Sequence, residues 1–313
     1  MEKIQQGFVP VMLMPLQGNG AIDYPALSRL TEFYLEAGAS GLFANCLSSE
    51  MYDLTPPERL ATTRTIVEVV NGAVPVVASG TFAGTTEAQA DFVKAMHATG
   101  VKAVVAITGM MAAADEPDTV FADRVFRLLE LTGDVPLGFY ECPAPYKRLV
   151  SPALLQQFVA TGRIVYHKDT CLDIDLVRAK IAAGEGRAFG LYDAYMGHAV
   201  ASLTAGAAGL SCIQGNYFPE LIVWLCNHYA APAYQSEVRR LQGFLIEKMD
   251  IMHRHYPVSA KYYLQKRGLP ITTTTRGNTN GLTSAVRKEI DAFYADCLAF
   301  QEELGVGFAK CSK

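Results

Sequence analysis

Short apolar runs alternate with helical patterns along most of the chain. The runs are rich in β-branched, aromatic and small apolar residues, which is typical of strands buried on both faces of a parallel sheet. Eight such strand–helix units in succession predict a (β/α)8 TIM barrel, because a doubly wound sheet seldom contains so many near-equal units. The predicted strands cover residues 8–14, 41–46, 75–80, 103–108, 136–141, 164–169, 188–193 and 209–215.

The segments between the strands carry signals for helix starts and stops. Thr55, Pro56 and Glu58 form a capping box with proline at the first helical position. After residue 230 the strand pattern ceases and three helical patterns follow. We therefore predict two units: a barrel over residues 1–230, and a C-terminal helical extension over residues 231–313 that packs its apolar faces on the barrel.

Composition narrows the class of protein. The chain has 313 residues, half of them hydrophobic, and a net charge of −4, which disfavours nucleic acid or an anionic membrane as the main partner. The apolar runs are far shorter than a bilayer span and the N-terminus lacks a secretory signal pattern, so we predict a cytoplasmic protein. The seven cysteines include no C-x-x-C pair. We predict free thiols, no metal site and no cofactor.

Two residues at predicted strand ends have the capacity for chemistry. Active sites of such barrels lie at the C-terminal ends of the strands, where Lys168 ends the sixth strand and Tyr140 the fifth. A lysine that faces the interior is desolvated, which lowers its pKa and leaves a neutral amine able to form a Schiff base with a ketone. A neighbouring phenol can transfer protons during that reaction. The structural alternatives are a lysine that extends to solvent and a tyrosine that only fills the core.

Several sequence motifs follow one another in a defined order along the chain. Residues 46–50 and 54–59 resemble the motifs G-[ST]-[ST]-G-E and L-[ST]-x-x-E-[RH]. Residues 140–143 resemble Y-N-x-P, and residues 166–170 resemble G-[IVL]-K-[ED]-[AS]. Residues 206–219 resemble G-x-x-G-x-[IL]-S-x-x-x-N-x-x-P. In these motifs and their order the chain resembles the dihydrodipicolinate synthase / N-acetylneuraminate lyase family, and the resemblance extends over most of the chain.

The resemblance implies a class I aldolase-type lyase. In it Lys168 forms a Schiff base with pyruvate or another 2-oxo acid, and Tyr140 moves protons. It also implies a homotetramer made of two tight dimers. The substrate-binding residues expected at the matched positions and strand ends are Leu47, Ser48, Ser49 and Ile213.

Departures from the family pattern narrow the expected activity. Leu47 replaces the first of two paired hydroxyl residues, and Tyr166 replaces a glycine. Pro145 stands where dihydrodipicolinate synthases carry a carboxylate-binding arginine, and the nearest cations are Lys147 and Arg148. We therefore predict aldol cleavage or condensation of a 2-oxo acid, with an electrophile different from that of the synthases. The alternatives that stay open are dehydration of a 2-keto-3-deoxy sugar acid and a non-catalytic descendant that binds 2-oxo acids.

Overall fold

A computed structural model describes residues 6–277 and 282–307. Eight parallel strands form one curled sheet in the order β1-β8-β7-β6-β5-β4-β3-β2, and a parallel bridge between Val11 and Phe43 closes it. The predicted (β/α)8 barrel is confirmed. The strands are β1 Gly7–Phe8, β2 Leu42–Ala44, β3 Val76–Ser79, β4 Ala103–Ile107, β5 Leu137–Tyr140, β6 Ile164–Asp169, β7 Gly190–Asp193 and β8 Gly209–Leu210.

Helices follow the strands around the outside of the barrel. The predicted capping box at the start of α2 is confirmed, since Thr55 and Glu58 each bond to the other's backbone N–H. Within the described residues, the helices that follow the strands are α1 Tyr24–Glu36, α2 Pro56–Val70, α3 Thr86–His97, α4 Asp118–Leu131, α5 Pro152–Ala160, α6 Ile174–Ala183, α7 Ala199–Thr204 and α8 Pro219–His228. The extension contains α9 Gln235–Glu247, α10 Met249–His253, α11 Val258–Lys266 and α12 Ser284–Leu304.

The first and last strands are shorter than predicted. The regular ladder of β1 ends at Phe8 because Pro10 has no N–H to donate and can only accept a hydrogen bond, from the N–H of Phe43. After β8 the chain turns into a 3-10 helix over Ile213–Asn216 instead of continuing as a strand. Both shortenings leave irregular backbone at the C-terminal end of the barrel, where side chains converge.

The barrel interior is filled by large side chains. Tyr166 of β6 points inwards, stacks on Tyr192 with ring centroids 4.8 Å apart, and donates to the Ser211 hydroxyl at 3.3 Å. The tyrosine that replaces the family glycine therefore lies in the barrel interior. Gly138 on β5 makes the room, because a Cβ there would lie 2.9 Å from the Tyr166 Cβ. A glycine on one strand thus accommodates a tyrosine on the next.

The helical extension is tied to the rim of the barrel. Lys261 of α11 is fully buried and donates to a Glu50 carboxylate oxygen at 2.6 Å, and the backbone N–H of Arg276 donates to the other at 2.6 Å. The Arg276 guanidinium forms a bidentate pair with Glu58. The Thr272 hydroxyl donates to the Leu16 carbonyl at 2.6 Å. The segment after α11 therefore crosses the mouth of the barrel, at the end where the βα loops begin.

Within residues 6–277 and 282–307, no helix has the combination of length and apolarity that crossing a bilayer demands.

Candidate active site

Lys168 and Tyr140 lie side by side on neighbouring strands. They are Cα partners in the β5–β6 register, and the Lys168 Nζ lies 4.3 Å from the centroid of the Tyr140 ring. Strand alternation directs Lys168 inwards above Tyr166, while His167 and Asp169 face the helices. Only 4% of Lys168 is exposed, and a second aromatic ring, that of Phe43, lies 5.5 Å from its Nζ. The amine therefore sits in a largely aromatic cage.

Burial sets the protonation preference of both groups. Desolvation lowers the pKa of Lys168, and the neighbouring thiols of Cys46, Cys142 and Cys212 only partly oppose the shift. Desolvation raises the pKa of Tyr140 well above its usual range, and the nearby thiol of Cys142, within hydrogen-bonding reach of the phenol, adds to this. A neutral amine beside a neutral phenol is the pair needed for attack on a carbonyl with proton transfer to its oxygen.

The lowered pKa of Lys168 gives a pH prediction. The rate at which the protein forms a reducible adduct with a 2-oxo acid should rise with pH as the amine loses its proton. It should level off below the ordinary lysine value of 10.5. The measurement is the initial rate of borohydride-trapped adduct against pH. A rate that rises in proportion to hydroxide all the way up to that ordinary value would mean that Lys168 is solvated.

A cavity of about 500 Å³ opens above these two residues at the C-terminal ends of the strands. Its walls are mainly apolar and aromatic, and among the described residues no arginine lines it. Glu50 and His253 add polar groups towards the mouth. The residues that define its shape are Leu47, Tyr52, Tyr140, Pro143, Lys168, Tyr195, Ile213 and Tyr256.

The structure brings three of the four expected substrate-binding residues to this cavity. Leu47, Ser48 and Ile213 line it, but Ser49 does not. The Ser49 hydroxyl instead donates to the Met12 carbonyl at 2.6 Å and accepts from the Cys46 N–H at 3.2 Å. Successive side chains of a 3-10 helix are about 120° apart. The turn over Leu47–Ser49 can therefore present two of its side chains to the cavity while the third faces the barrel wall.

Neither neighbouring cation takes the place of the family arginine at Pro145. Arg148 lies with its guanidinium 5.3 Å from the centroid of the Phe121 ring and donates to the Glu116 carbonyl, away from the cavity. Lys147 donates to the Thr170 carbonyl at 2.6 Å, at the rim. Among the residues that the structure describes, the cavity therefore offers no bidentate clamp for a second carboxylate.

A buried ion cluster lies on the outer face of the same strand ends. Lys180 of α6 is fully buried and donates to Glu141 Oε1 and to Asp169 Oδ2, both at 2.6 Å. His167 Nε2 lies 3.4 Å from Glu141 Oε1. Glu141, His167 and Asp169 present atoms within 4.8 Å of one another, a donor set that could hold a metal ion. The Lys180 ammonium already supplies the cation that both carboxylates require.

Tyr256, which sequence reasoning missed, lines the cavity from the helical extension. It lies between α10 and α11, and its hydroxyl accepts a hydrogen bond from Asn216 Nδ2 at 2.6 Å. Burial raises the pKa of Tyr256 well above its usual range, and a hydrogen bond with Ser48 opposes the shift. No spacing in the sequence connects Tyr256 to the strand ends, because its position depends on how the extension folds back over the barrel.

Comparison with known proteins identifies the family. The model of the dihydrodipicolinate synthetase family matches residues 5–294. The chain belongs to this family. Its relatives include two 4-hydroxy-tetrahydrodipicolinate synthases. The one from Saccharophagus degradans is 25% identical over 84% of this chain and 89% of its own length. The one from Laribacter hongkongensis is 23% identical over 90% of this chain and 97% of its own.

Solved structures of the dihydrodipicolinate synthetase family share the fold. YagE, a prophage protein of the family from E. coli K12 solved in complex with pyruvate, superposes with a TM-score of 0.83 at 20% identity, covering 93% of this chain and 98% of its own. A dihydrodipicolinate synthase from Bacillus anthracis gives a TM-score of 0.84 at 20% identity, covering 94% and 99%. A synthase variant described as monomeric gives 0.83 at 19% identity, covering 96% and 97%.

Proposed function

We propose that the protein is a lyase in which Lys168 forms a Schiff base with pyruvate or another 2-oxo acid. The observation that carries the proposal is the buried Lys168 amine, 4.3 Å from the Tyr140 ring on the wall of one cavity. Pyruvate bound to the E. coli relative supports a 2-oxo acid as the substrate class. Lys168 differs from the buried lysines Lys180 and Lys261, whose ammonium groups pair with carboxylates at 2.6 Å. No such ion pair of Lys168 occurs among the described residues, so desolvation disfavours its charged form without compensation.

The chemistry follows from the positions of the two groups. The Lys168 amine attacks the keto carbon, a C–N bond forms, and Tyr140 delivers a proton to the former carbonyl oxygen. Loss of water gives a protonated imine, which withdraws electrons from the neighbouring carbon. Removal of a proton from that carbon yields an enamine that can attack an aldehyde. In the cleavage direction the C–C bond breaks and the enamine is protonated.

The residues of the cavity wall favour an electrophile different from that of the 4-hydroxy-tetrahydrodipicolinate synthases. Lys147 sits at the rim with its ammonium bound to a backbone carbonyl, and Arg148 faces away. Leu47 and Ile213 provide apolar wall where a second carboxylate would need a cation. We therefore favour aldol cleavage or condensation with an aldehyde that lacks a carboxylate.

The deciding experiment is reductive trapping. The protein is incubated with a panel of 2-oxo acids and borohydride, and the adduct is located by peptide mass spectrometry. We expect a single adduct on Lys168. No adduct with any member of the panel, or an adduct on another lysine such as Lys147, would overturn the proposal. Product analysis of the acids that turn over separates aldolase from dehydratase chemistry, and an adduct without product would identify a binding descendant.

Assembly remains a separate proposal. A homotetramer of two tight dimers is the arrangement that the family resemblance implies, whereas one structural neighbour is described as a monomeric variant. Light scattering at several protein concentrations measures the mass directly. The cytoplasmic location stays a prediction from the sequence.

A further inference from the structure

Leu172, in the loop between β6 and α6, is an exposed apolar residue at the mouth of the cavity that holds Lys168. Of the large apolar side chains that the structure describes, it is the most exposed, at 55%. A single exposed leucine needs no explanation by itself, but this one lines a binding cavity and has an unusual backbone. We propose that Leu172 binds the apolar end of the aldehyde substrate, which carries an aromatic or branched aliphatic group. The inference rests on the proposed Schiff-base function and specifies its second substrate.

The backbone of Leu172 lies in the left-handed region, with φ at +66°. Glycine adopts this conformation freely, and asparagine adopts it more readily than leucine, whose Cβ approaches the following carbonyl oxygen. The other non-glycine residues with positive φ in the described part of the chain all have polar side chains: Asn45, Glu50, Asn71 and His255. Leucine is therefore a strained choice at this position, and strained residues are concentrated where a side chain has to contact a ligand.

Hydrogen bonds on both sides of Leu172 fix its conformation. The backbone N–H of Cys171 donates to Asp169 Oδ1 at 2.8 Å, and Asp169 is fully buried. On the other side Asp173 caps α6, and its Oδ1 accepts from the N–H of Asp175 at 2.9 Å. Because its neighbours are held, Leu172 is kept in the left-handed conformation, and its side chain is preorganised to contact a ligand at the mouth.

The groups around Leu172 favour an apolar partner. Pro143 and Tyr195 line the same cavity, and Asp53 adds a carboxylate. No arginine, and no lysine other than Lys168, lines the cavity in the described part of the chain, so an anionic end would find no cation at the mouth. A polyhydroxy chain would lose hydrogen bonds with water against Leu172 without replacing them. An apolar group instead removes both itself and Leu172 from water.

The reaction that Leu172 assists balances with no reactant besides water. In condensation the enamine on Lys168 attacks the aldehyde carbon, a C–C bond forms, and the aldehyde oxygen gains a proton in place of the one that the 2-oxo acid lost. Water then hydrolyses the imine and releases the free amine. The group carried by the aldehyde does not react, so Leu172 contributes binding energy and no proton transfer.

The test measures selectivity between two aldehydes, each condensed with pyruvate and followed by mass spectrometry of the product. Benzaldehyde is the apolar probe and glyceraldehyde the hydrophilic one. We expect the wild type to prefer benzaldehyde in kcat/KM. Leu172→Asn should lower the ratio of the two kcat/KM values about 5- to 10-fold, chiefly through a higher KM for benzaldehyde. Because both values come from one sample, their ratio does not depend on the fraction of protein that is folded.

Three further variants separate recognition from structure. Leu172→Met, which stays apolar, should retain the ratio within about twofold. Leu172→Gly should lower the ratio as Leu172→Asn does, without lowering the midpoint of thermal unfolding, because glycine relieves the left-handed strain. Leu149→Asn is the matched control. Leu149 is also exposed and lies outside helices and strands, but it does not line the cavity, so its variant should keep the wild-type ratio.

Several outcomes would overturn the role of Leu172 and leave the Schiff base intact. They are a wild type that forms the Lys168 adduct but does not prefer benzaldehyde or yields no product from it, an unchanged ratio in Leu172→Asn, and an equal fall in Leu149→Asn. A lower mass of Leu172→Asn in light scattering, with the ratio unchanged, would identify a contact between subunits instead. A wild type that forms no adduct with any 2-oxo acid would overturn the proposed function and this inference together.

Discussion

Replacing Lys168 with methionine is expected to abolish turnover and, at the same time, to make the folded protein more stable. The loss of turnover should be on the order of 10⁴-fold or greater, because the covalent route disappears with the nucleophile. The gain in stability arises because methionine of similar length fills the aromatic cage without the desolvation cost of an amine.

The pH dependence of that stability has a definite sign. Burial lowers the pKa of Lys168 in the folded protein below the ordinary 10.5. Between the lowered value and 10.5 the unfolded chain holds the proton and the folded chain does not, so wild-type stability rises with pH there. The advantage of Lys168→Met should therefore be largest at neutral pH and shrink as pH approaches the ordinary value.

Urea unfolding of wild type and Lys168→Met at several pH values measures this difference. Lys248→Met serves as the control, since Lys248 is a partly exposed lysine between α9 and α10, paired with Asp296 at 2.8 Å and Glu247 at 2.9 Å. Its loss should change stability by less than about 1 kcal/mol. A Lys168→Met protein that retains wild-type turnover would refute the assignment of Lys168 as nucleophile. A stability difference independent of pH would refute its desolvated state.

Replacing Lys180 with methionine is expected to destabilise the protein by about 3–5 kcal/mol. The variant removes the ammonium that both Glu141 and Asp169 accept from, and leaves two carboxylates without exposure and without their cation. Burial alone would lower the pKa of Lys180, but the charges on Glu141 and Asp169 outweigh it and raise the pKa. The ammonium therefore persists in the folded protein through neutral pH.

Acidification should narrow the deficit of Lys180→Met. In the wild type, burial works to raise the pKa of Asp169, yet the nearby His167, whose Nε2 lies 3.7 Å from Asp169 Oδ2, and the charge on Lys180 outweigh burial and hold that pKa far below its usual range. The wild type thus loses stability as pH falls towards that lowered pKa. In the variant, protonation of a carboxylate relieves uncompensated charge. Lys180→Met combined with Glu141→Gln should recover part of the loss at neutral pH. A cost below about 1 kcal/mol for Lys180→Met alone, measured by urea unfolding, would contradict this account.

The residues that sequence reasoning located are those whose positions depend on the topology of the barrel. Lys168 and Tyr140 end neighbouring strands, and parallel strands bring their C-terminal ends to one edge. The direction of the Ser49 side chain could not be predicted in this way. It depends on where a three-residue 3-10 turn begins, which the sequence does not reveal. Tyr256 was beyond reach, since it lies far along the chain in a connection between helices whose docking is set by many weak contacts.

On the outer face of the strands, too, the sequence predicts the direction of a side chain but not its partner. Alternation predicts that Asp169 faces away from Lys168, towards the helices. The partner that neutralises it, Lys180, comes from α6, and the sequence alone gives an ordinary helical lysine at that position. The pairing of Lys180 with Asp169 depends on how α6 packs against β6, so it can be identified only in the folded structure.

The stacked pair of Tyr166 and Tyr192 has a consequence for which molecules the site can discriminate. Tyr166 is two residues deeper in β6 than Lys168, so its Cα lies roughly 7 Å below that of Lys168 and its ring fills the barrel interior beneath the cavity. A ligand attached to Lys168 can lengthen only towards the opening, past Leu47 and the extension. The pocket is therefore closed at its inner end, where it restricts the size of the ligand group next to Lys168. The other end of the ligand contacts the loops at the mouth, which determine what is accepted there.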